Sequence, residues 1–360
     1  MKAIILVGGE ATRLRPLTCN IPKALVPVLN TPFLEHVIRH LGQHQIKDIV
    51  LALGHLAQPI KSYFGDGSRL GVRLYYSIED TPLGTGGAVK NAERYLDETF
   101  VMLNGDILTD LDITAMTGFH RERKAKITIA GTRVDDPTAY GLIETDARGM
   151  ITRFLEKPGQ NEITTNMINA GTCIMEPDIL TYIPPRVKFS IERELFSLLP
   201  KQELPAYCYD YSGYWIDLGN PEKYLQLHRD LLGGKSSQYT LASSEEVRIG
   251  GGSHIHPTAQ IKGPILIGDY CSIGNNVRLT GPAVIGPDCT IQEESVIDGS
   301  IIWHKVQIGR GVKVKNSIVA NNCCLCGDNI IEDSVLGDNV IVVSGSRLES
   351  GSKISPGSII

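Results

Sequence analysis

The 360-residue sequence lacks several features, and each absence removes a class of function. No apolar run approaches the roughly 20 residues needed to cross a bilayer, so no membrane span is expected. Met1 to Gly9 carries one lysine and a brief apolar stretch, too short and without the cleavage site of a signal peptide. There is no basic excess. Lys+Arg number 35 against 40 Asp+Glu, a formal net charge of −5, which argues against a nucleic-acid binder but leaves room for a local basic pocket. Eight cysteines do not make a disulfide scaffold, and the one cluster, Cys323-Cys324-x-Cys326, lacks the paired spacing of a zinc site. With neither targeting signal nor disulfide pattern, the cytoplasm is the expected compartment. Neither G-x4-G-K-[ST] nor G-x-G-x-x-G occurs, which disfavours a P-loop hydrolase or a dinucleotide-dependent oxidoreductase.

What is present falls into two halves with different periods. Residues 1–232 alternate strand and helix signals, with apolar runs at Ala3 to Val7, Asp48 to Leu53, Val72 to Ser77 and Phe100 to Leu103. Between the first two, Thr31 and Pro32 suit a helix start, and Phe33, Leu34, Val37, Ile38 and Leu41 share one helical face. A second helix is predicted over Gly86 to Leu96. This β-α-β-α order implies an α/β domain with a Rossmann-like, mainly parallel sheet, whose ligands bind beyond the carboxyl ends of the strands. A linker is expected at 233–252, beginning Gly233-Gly234-Lys235-Ser236-Ser237. From 253 to 360 the period is six. Ile255, Ile261, Ile267, Ile273, Leu279, Ile285, Ile291 and Ile297 recur without a break; the pattern then slips by one near Trp303 and resumes at Ile308, Val314, Ala320 and Cys326. Six matches neither a helix nor simple strand alternation; it is the hexapeptide repeat of a parallel β-helix. In this register Cys271, Cys289, Cys324 and Cys326 point inward as small hydrophobes.

The chemistry-bearing string follows the first strand: Gly8-Gly9-Glu10-Ala11-Thr12-Arg13-Leu14-Arg15-Pro16-Leu17-Thr18, then Pro22-Lys23. Paired glycines let a backbone turn closely around phosphates, while Arg13 and Lys23 supply cations. Later come Asn104-Gly105-Asp106, Tyr140-Gly141, Glu156-Lys157-Pro158, Asn169-Ala170-Gly171 and Tyr214-Trp215-Ile216-Asp217. Each alone fits an ordinary turn or solvated loop; their joint order is the signal. In this order they resemble the sugar-1-phosphate nucleotidyltransferase family, whose loop reads G-G-x-G-T-R-L-x-P-L-T, except that Ala11 replaces the third glycine. The resemblance spans nearly the whole chain and includes a C-terminal left-handed β-helix.

The resemblance implies attack of a sugar-phosphate oxygen on the α-phosphorus of a nucleoside triphosphate, with pyrophosphate leaving. Leu6, Gly8, Gly9, Arg13, Lys23, Gly84 and Gly87 would hold the nucleotide. Gly141, Glu156, Lys157 and Asn169 would hold the sugar phosphate, and Asp106 and Asp217 would bind Mg²⁺. Arg13, Lys23, Asp106, Lys157 and Asp217 would carry the catalysis. Gly87 stands where pyrimidine users often place Gln or His, so an open pocket for a purine is expected there. The string Pro82-Leu83-Gly84-Thr85-Gly86-Gly87 and the short β-helix are similar to those of the GDP-mannose pyrophosphorylases, favouring GTP and mannose 1-phosphate. The alternatives are thymidylyl, uridylyl or adenylyl transfer to glucose 1-phosphate, a non-catalytic regulatory subunit, and acyl transfer using His254, His256 or His304. The β-helix is expected to pair subunits into a homo-oligomer.

Overall fold

The computed structural model describes residues 1–360 except Glu10, His55, Lys201, Glu203 and 238–245, and part of the expected linker lies among the latter. Among the described residues no helix is long and apolar enough to cross a membrane.

The chain packs as two compact units, Met1–Gly9 with Leu34–Trp215, and Glu10–Phe33 with Ile216–Ile360. Ahead of the repeats the strands are β1 (Lys2–Val7), β2 (Pro27–Val28), β3 (Thr31–Pro32), β4 (Asp48–Leu53), β5 (Arg73–Ile78), β6 (Phe100–Asn104), β7 (Ile107–Thr109), β8 (Ile127–Arg133), β9 (Gly141–Thr145), β10 (Ile151–Glu156), β11 (Met167–Met175), β12 (Ala206–Asp210) and β13 (Trp215–Asp217). The α-helices are α1 (Phe33–Gln43), α2 (Ala57–Phe64), α3 (Gly84–Asn91), α4 (Ile113–Glu122) and α5 (Pro221–Leu232).

The first unit is built on one sheet in the order β10-β9-β11-β6-β1-β4-β5, with β8 against β11 and β12 against β8. Strands β6, β1, β4 and β5 are parallel; β11 runs antiparallel to β6. Ala3, Ile4 and Ile5 are fully buried, as expected of a central parallel strand covered on both faces. In α1, Phe33, Leu34, Val37, Ile38 and Leu41 are all buried, but the helix starts later than predicted. Thr31 and Pro32 are not its cap and first residue; they pair with Val28 and Pro27 in a short hairpin. The second helix is likewise shorter than predicted, ending at Asn91, with a 3-10 turn over Glu93–Tyr95.

In the second unit the repeats coil into a prism of three parallel sheets. Early coils are 18 residues long, as in Ile265↔Ala283; later ones are 17, as in Ile301↔Ile318↔Val335, and the last returns to 18, as in Val335↔Lys353. The one-residue slip inferred near Trp303 is therefore repeated on the next coil. This corrects the inward register: Val319 and Leu325, not Ala320 and Cys326, continue the series, and Cys323 rather than Cys324 turns inward. Cys326 is exposed, Cys324 half-buried, while Cys271 and Cys289 are inside as expected. Small polar residues are also stacked inside, where Ser317 and Ser334 N–H groups donate to Ser300 and Ser317 Oγ at 3.1 and 3.0 Å.

One prism face is apolar outside as well as inside. Val284, Ile301, Ile318 and Val335 point outward yet are buried, and α5 lies against this face at Ala283–Ile285. Helix α5 begins where the sequence places it: Asn220 Oδ1 accepts from Lys223 N–H at 2.8 Å and Pro221 takes the first position. The split at residue 232 follows chain order, whereas in packing terms α5 and Glu10–Phe33 belong with the prism.

Candidate active site

In the first unit the expected ligands gather at strand ends. Leu6 on β1 is in register with Asn104 on β6, and Gly105 N–H donates to the Leu6 carbonyl at 2.9 Å. A Cβ on Gly105 would stand 2.7 Å from that carbonyl oxygen, so only glycine lets the two strand ends meet this closely. Asp106 follows at once, half-buried, beyond the carboxyl end of β6. Gly8 and Gly9 emerge from β1, exposed and with open space where a Cβ would be.

The proposed sugar ligands form a row across three strands. Glu156 on β10 faces Gly141 on β9, and the Leu142↔Ile168 pair puts Asn169 of β11 on the other side of Gly141. Asn169 Oδ1 accepts from Gly171 N–H at 2.9 Å, which orients its amide. Burial, reinforced by the Glu192 carboxylate, raises the Glu156 carboxyl above its ordinary range, against the pull of Lys157 and Arg193. Lys157 is exposed with φ 51, a left-handed conformation that a non-glycine residue adopts at a cost, held by its N–H donating to the Tyr140 carbonyl at 3.0 Å. Trp215, stacked edge-on to Tyr140, donates from Nε1 to the Ala170 carbonyl at 2.9 Å and so ties down the turn after Asn169.

The glycines of α3 do not match the open pocket expected from the sequence. Gly86 and Gly87 N–H groups both donate to the Phe189 carbonyl, at 2.8 and 3.2 Å, so these donors are already used. A Cβ on Gly87 would meet Leu83 Cβ at 2.6 Å and the Val187 carbonyl at 2.8 Å. The space is taken by the chain's own 187–189 segment, and Gly87 is a close-packing glycine. Gly84, with φ 73, is likewise pressed against the Phe189 carbonyl.

In the second unit Arg13 lies exposed in a 3-10 turn over Thr12–Leu14, and Lys23 lies half-buried in another over Lys23–Leu25. Ala11 takes φ 47 and ψ 38, the left-handed conformation that glycine would occupy, and its carbonyl accepts from Thr18 Oγ1 at 2.9 Å. Asp217 is ion-paired with Lys223 from the first turn of α5. Sequence reading missed this pair; Lys223 is legible as a helix residue but not as one whose ammonium turns back to Asp217.

The chemistry of the two expected carboxylates is compatible with magnesium. Mg²⁺ takes hard oxygen ligands, using one or two carboxylates and filling its other positions with phosphate and water oxygens. Asp106 in the first unit and Asp217 in the second are each carboxylates of that kind, and Asp217 already sits against a cation in the form of Lys223. His254, His256 and His304, considered for acyl transfer, are all exposed, and His256 Nδ1 is engaged by Thr258 Oγ1 at 2.9 Å.

The nucleotidyl transferase family profile matches residues 2–233, and that of the EIF2B subunit epsilon LbH domain, a left-handed β-helix, matches 250–348. The chain belongs to the nucleotidyl transferase family. It is 37% identical to a mannose-1-phosphate guanyltransferase of Pichia angusta, over 97% of this chain and 95% of that one. It is 35% identical to a UTP–glucose-1-phosphate uridylyltransferase of Synechocystis, over 90% and 88%. Among solved structures, HddC from Yersinia pseudotuberculosis complexed with GMP-PN superimposes with a TM-score of 0.54 at 32% identity, over 63% of this chain and 97% of that one. The fold is thus a Rossmann-like nucleotidyltransferase sheet followed by a left-handed β-helix, and the protein is a sugar-1-phosphate nucleotidyltransferase.

Proposed function

We propose that the enzyme transfers a guanylyl group from GTP to mannose 1-phosphate, giving the nucleotide sugar and pyrophosphate. The observation that carries the sugar-phosphate half is the Glu156–Gly141–Asn169 row, a carboxylate and an amide flanking a glycine, with the Lys157 cation beside it. Guanine and mannose are supported by near full-length similarity to the yeast guanyltransferase; similarity to the cyanobacterial uridylyltransferase keeps UTP with glucose 1-phosphate as the second reading.

In this reading Arg13 and Lys23 neutralise the departing pyrophosphate, with Leu6, Gly8, Gly9 and Gly84 along the nucleotide. Lys157 binds the phosphate of the sugar, and Glu156 and Asn169 bind its hydroxyls. Asp106 and Asp217 would hold Mg²⁺, which would supply charge neutralisation to the phosphates. The work of the protein is to align two anions in line, with no covalent intermediate. The β-helix serves homo-oligomer formation, tested by sedimentation of the intact chain, and the cytoplasm is the proposed location.

The deciding experiment crosses ATP, GTP, CTP, UTP and dTTP with mannose, glucose and N-acetylglucosamine 1-phosphates, following pyrophosphate release. The largest kcat/KM is expected for GTP with mannose 1-phosphate. A larger value for UTP or dTTP with any sugar would overturn the guanylyl reading. Asp106→Asn and Asp217→Asn should each lower kcat by on the order of 100-fold or more with the fold intact, the usual scale for lost charge stabilisation in the transition state.

A further inference from the structure

The β-helix and α5 grip the segment that follows Lys23. Strands β2 and β3 form a hairpin closed by Leu29 and Asn30, with φ values of 48 and 62. Two successive positive φ angles are the mark of a type I′ turn, which suits Asn and strains a bulky leucine. The hairpin is joined directly to the Lys23 turn: Val26 N–H donates to the Lys23 carbonyl at 3.1 Å, and Phe33 N–H to the Val26 carbonyl at 2.9 Å.

Five hydrogen bonds hold this strained hairpin and its holder in place. Tyr224 Oη donates to the Pro27 carbonyl and accepts from Trp303 Nε1 of the prism at 2.9 Å. His228 Nε2 accepts from Leu29 N–H at 3.2 Å, while Nδ1 faces the Tyr224 carbonyl at 3.0 Å, which fixes the neutral ring with its proton on Nδ1. Asn30 Nδ2 donates to the Ile285 carbonyl of the prism at 3.0 Å. Tyr224, His228 and Trp303 are at most 2% exposed, so water cannot replace these partners.

We propose that Tyr224, His228 and Trp303 are positioning residues for nucleotidyl transfer. They clamp a turn that would otherwise relax, and so fix where Lys23 presents its ammonium to the triphosphate. The β-helix is then part of the catalytic apparatus through Trp303 and the Ile285 carbonyl. The proposal rests on the reading of Lys23 as a ligand of the nucleotide phosphates.

The test uses the intact chain and the substrate pair of highest turnover. Tyr224→Phe deletes the hydroxyl and keeps the ring; Trp303→Phe removes the indole N–H together with the five-membered ring, so its stability is measured beside its turnover. Both should lower kcat by about tenfold or more, the scale of a small misplacement of a catalytic group, while the KM for the sugar phosphate changes less than about twofold. Thermal unfolding monitors how much of each variant is folded at assay temperature. Adding Leu29→Gly to Tyr224→Phe should recover a substantial part of the lost kcat, because glycine accepts positive φ without strain and keeps the turn with one restraint fewer. A loss in Tyr224→Phe that only tracks the folded fraction, or that Leu29→Gly does not relieve, would overturn the positioning role. So would wild-type kcat in Tyr224→Phe alongside an inactive Lys23→Ala. Full turnover in Lys23→Ala would instead overturn the assignment of Lys23, and the proposal with it.

Discussion

Gly141 and Glu156 face each other across β9 and β10, and the missing side chain of the glycine is what admits the carboxylate. A Cβ on Gly141 would stand 2.9 Å from Glu156 Oε2 and 2.5 Å from Phe154 Cζ. Gly141→Ala must therefore displace both, with an overpacking cost of about 1–3 kcal/mol. The expected result is a KM for the sugar phosphate raised about tenfold or more with the nucleotide KM nearly unchanged. Unchanged sugar-phosphate kinetics would remove Glu156 from the sugar site.

The raised carboxyl of Glu156 gives a signed pH prediction. Burial, with repulsion from Glu192, makes the folded protein hold this proton more tightly than the unfolded chain does. Ionisation therefore favours unfolding, and stability from this group falls as pH rises from the ordinary value of 4.5 through the raised one. Glu156→Gln should raise the Tm at pH 7, with the gap from wild type closing as pH approaches 4.5, while kcat/KM for the sugar phosphate drops. Calorimetry at several pH values checks this, and a lower Tm for the variant at pH 7 would contradict it.

Gly87 yields a prediction opposite to the one its sequence context suggests. With Leu83 Cβ and the Val187 carbonyl within 3 Å of any Cβ, Gly87→Ala should lower the Tm and depress turnover with every nucleotide alike. A change in the GTP to dTTP ratio with little loss of stability would instead restore it as a base-reading position.

Ala11 can be tested by giving the loop its glycine. At φ 47 an alanine bears a strain of about 1–2 kcal/mol, against about 0.4–1 kcal/mol of unfolded-chain entropy that glycine would add. Ala11→Gly should thus leave the Tm unchanged or slightly higher, with nucleotide kcat/KM within about threefold of wild type. A clear fall in Tm would mean that the conformation carries little strain.

How much of this was legible in the sequence depended on the range of the signal. The parallel sheet announced itself through apolar runs such as Ala3 to Val7, and the prism through its period of six, because both are local patterns. The Glu156–Gly141–Asn169 row is a matter of strand register, which places residues 28 positions apart side by side and leaves no mark at any one of them. Gly87 misled for a related reason: a glycine is equally consistent with room for a ligand and with a backbone pressed close, and only the position of residues 187–189 decides. The hold on the β2–β3 hairpin was partly visible after all. Outward positions on one face read Val284, Ile301, Ile318 and Val335, whereas a neighbouring face reads Ser272, Thr290 and Gln307. A face that is apolar on both sides must be covered, and α5 covers it.

The coil length of the prism constrains how such a chain can change in size. The register advances by 18 from Ile265 to Ala283, by 17 from Ile301 to Ile318 to Val335, and by 18 again from Val335 to Lys353. Because neighbouring strand positions point to opposite faces, a residue inserted or deleted within a strand would turn a buried aliphatic outward, whereas a corner absorbs one residue, as the change from 18 to 17 and back to 18 shows. Removal of residues 318–334, one whole coil, would join Ser317 to Val335 and return each inward residue to an equivalent stack. Length in this domain is therefore quantised within the strands: it can be shortened or extended by the coil, and by the single residue only at a corner.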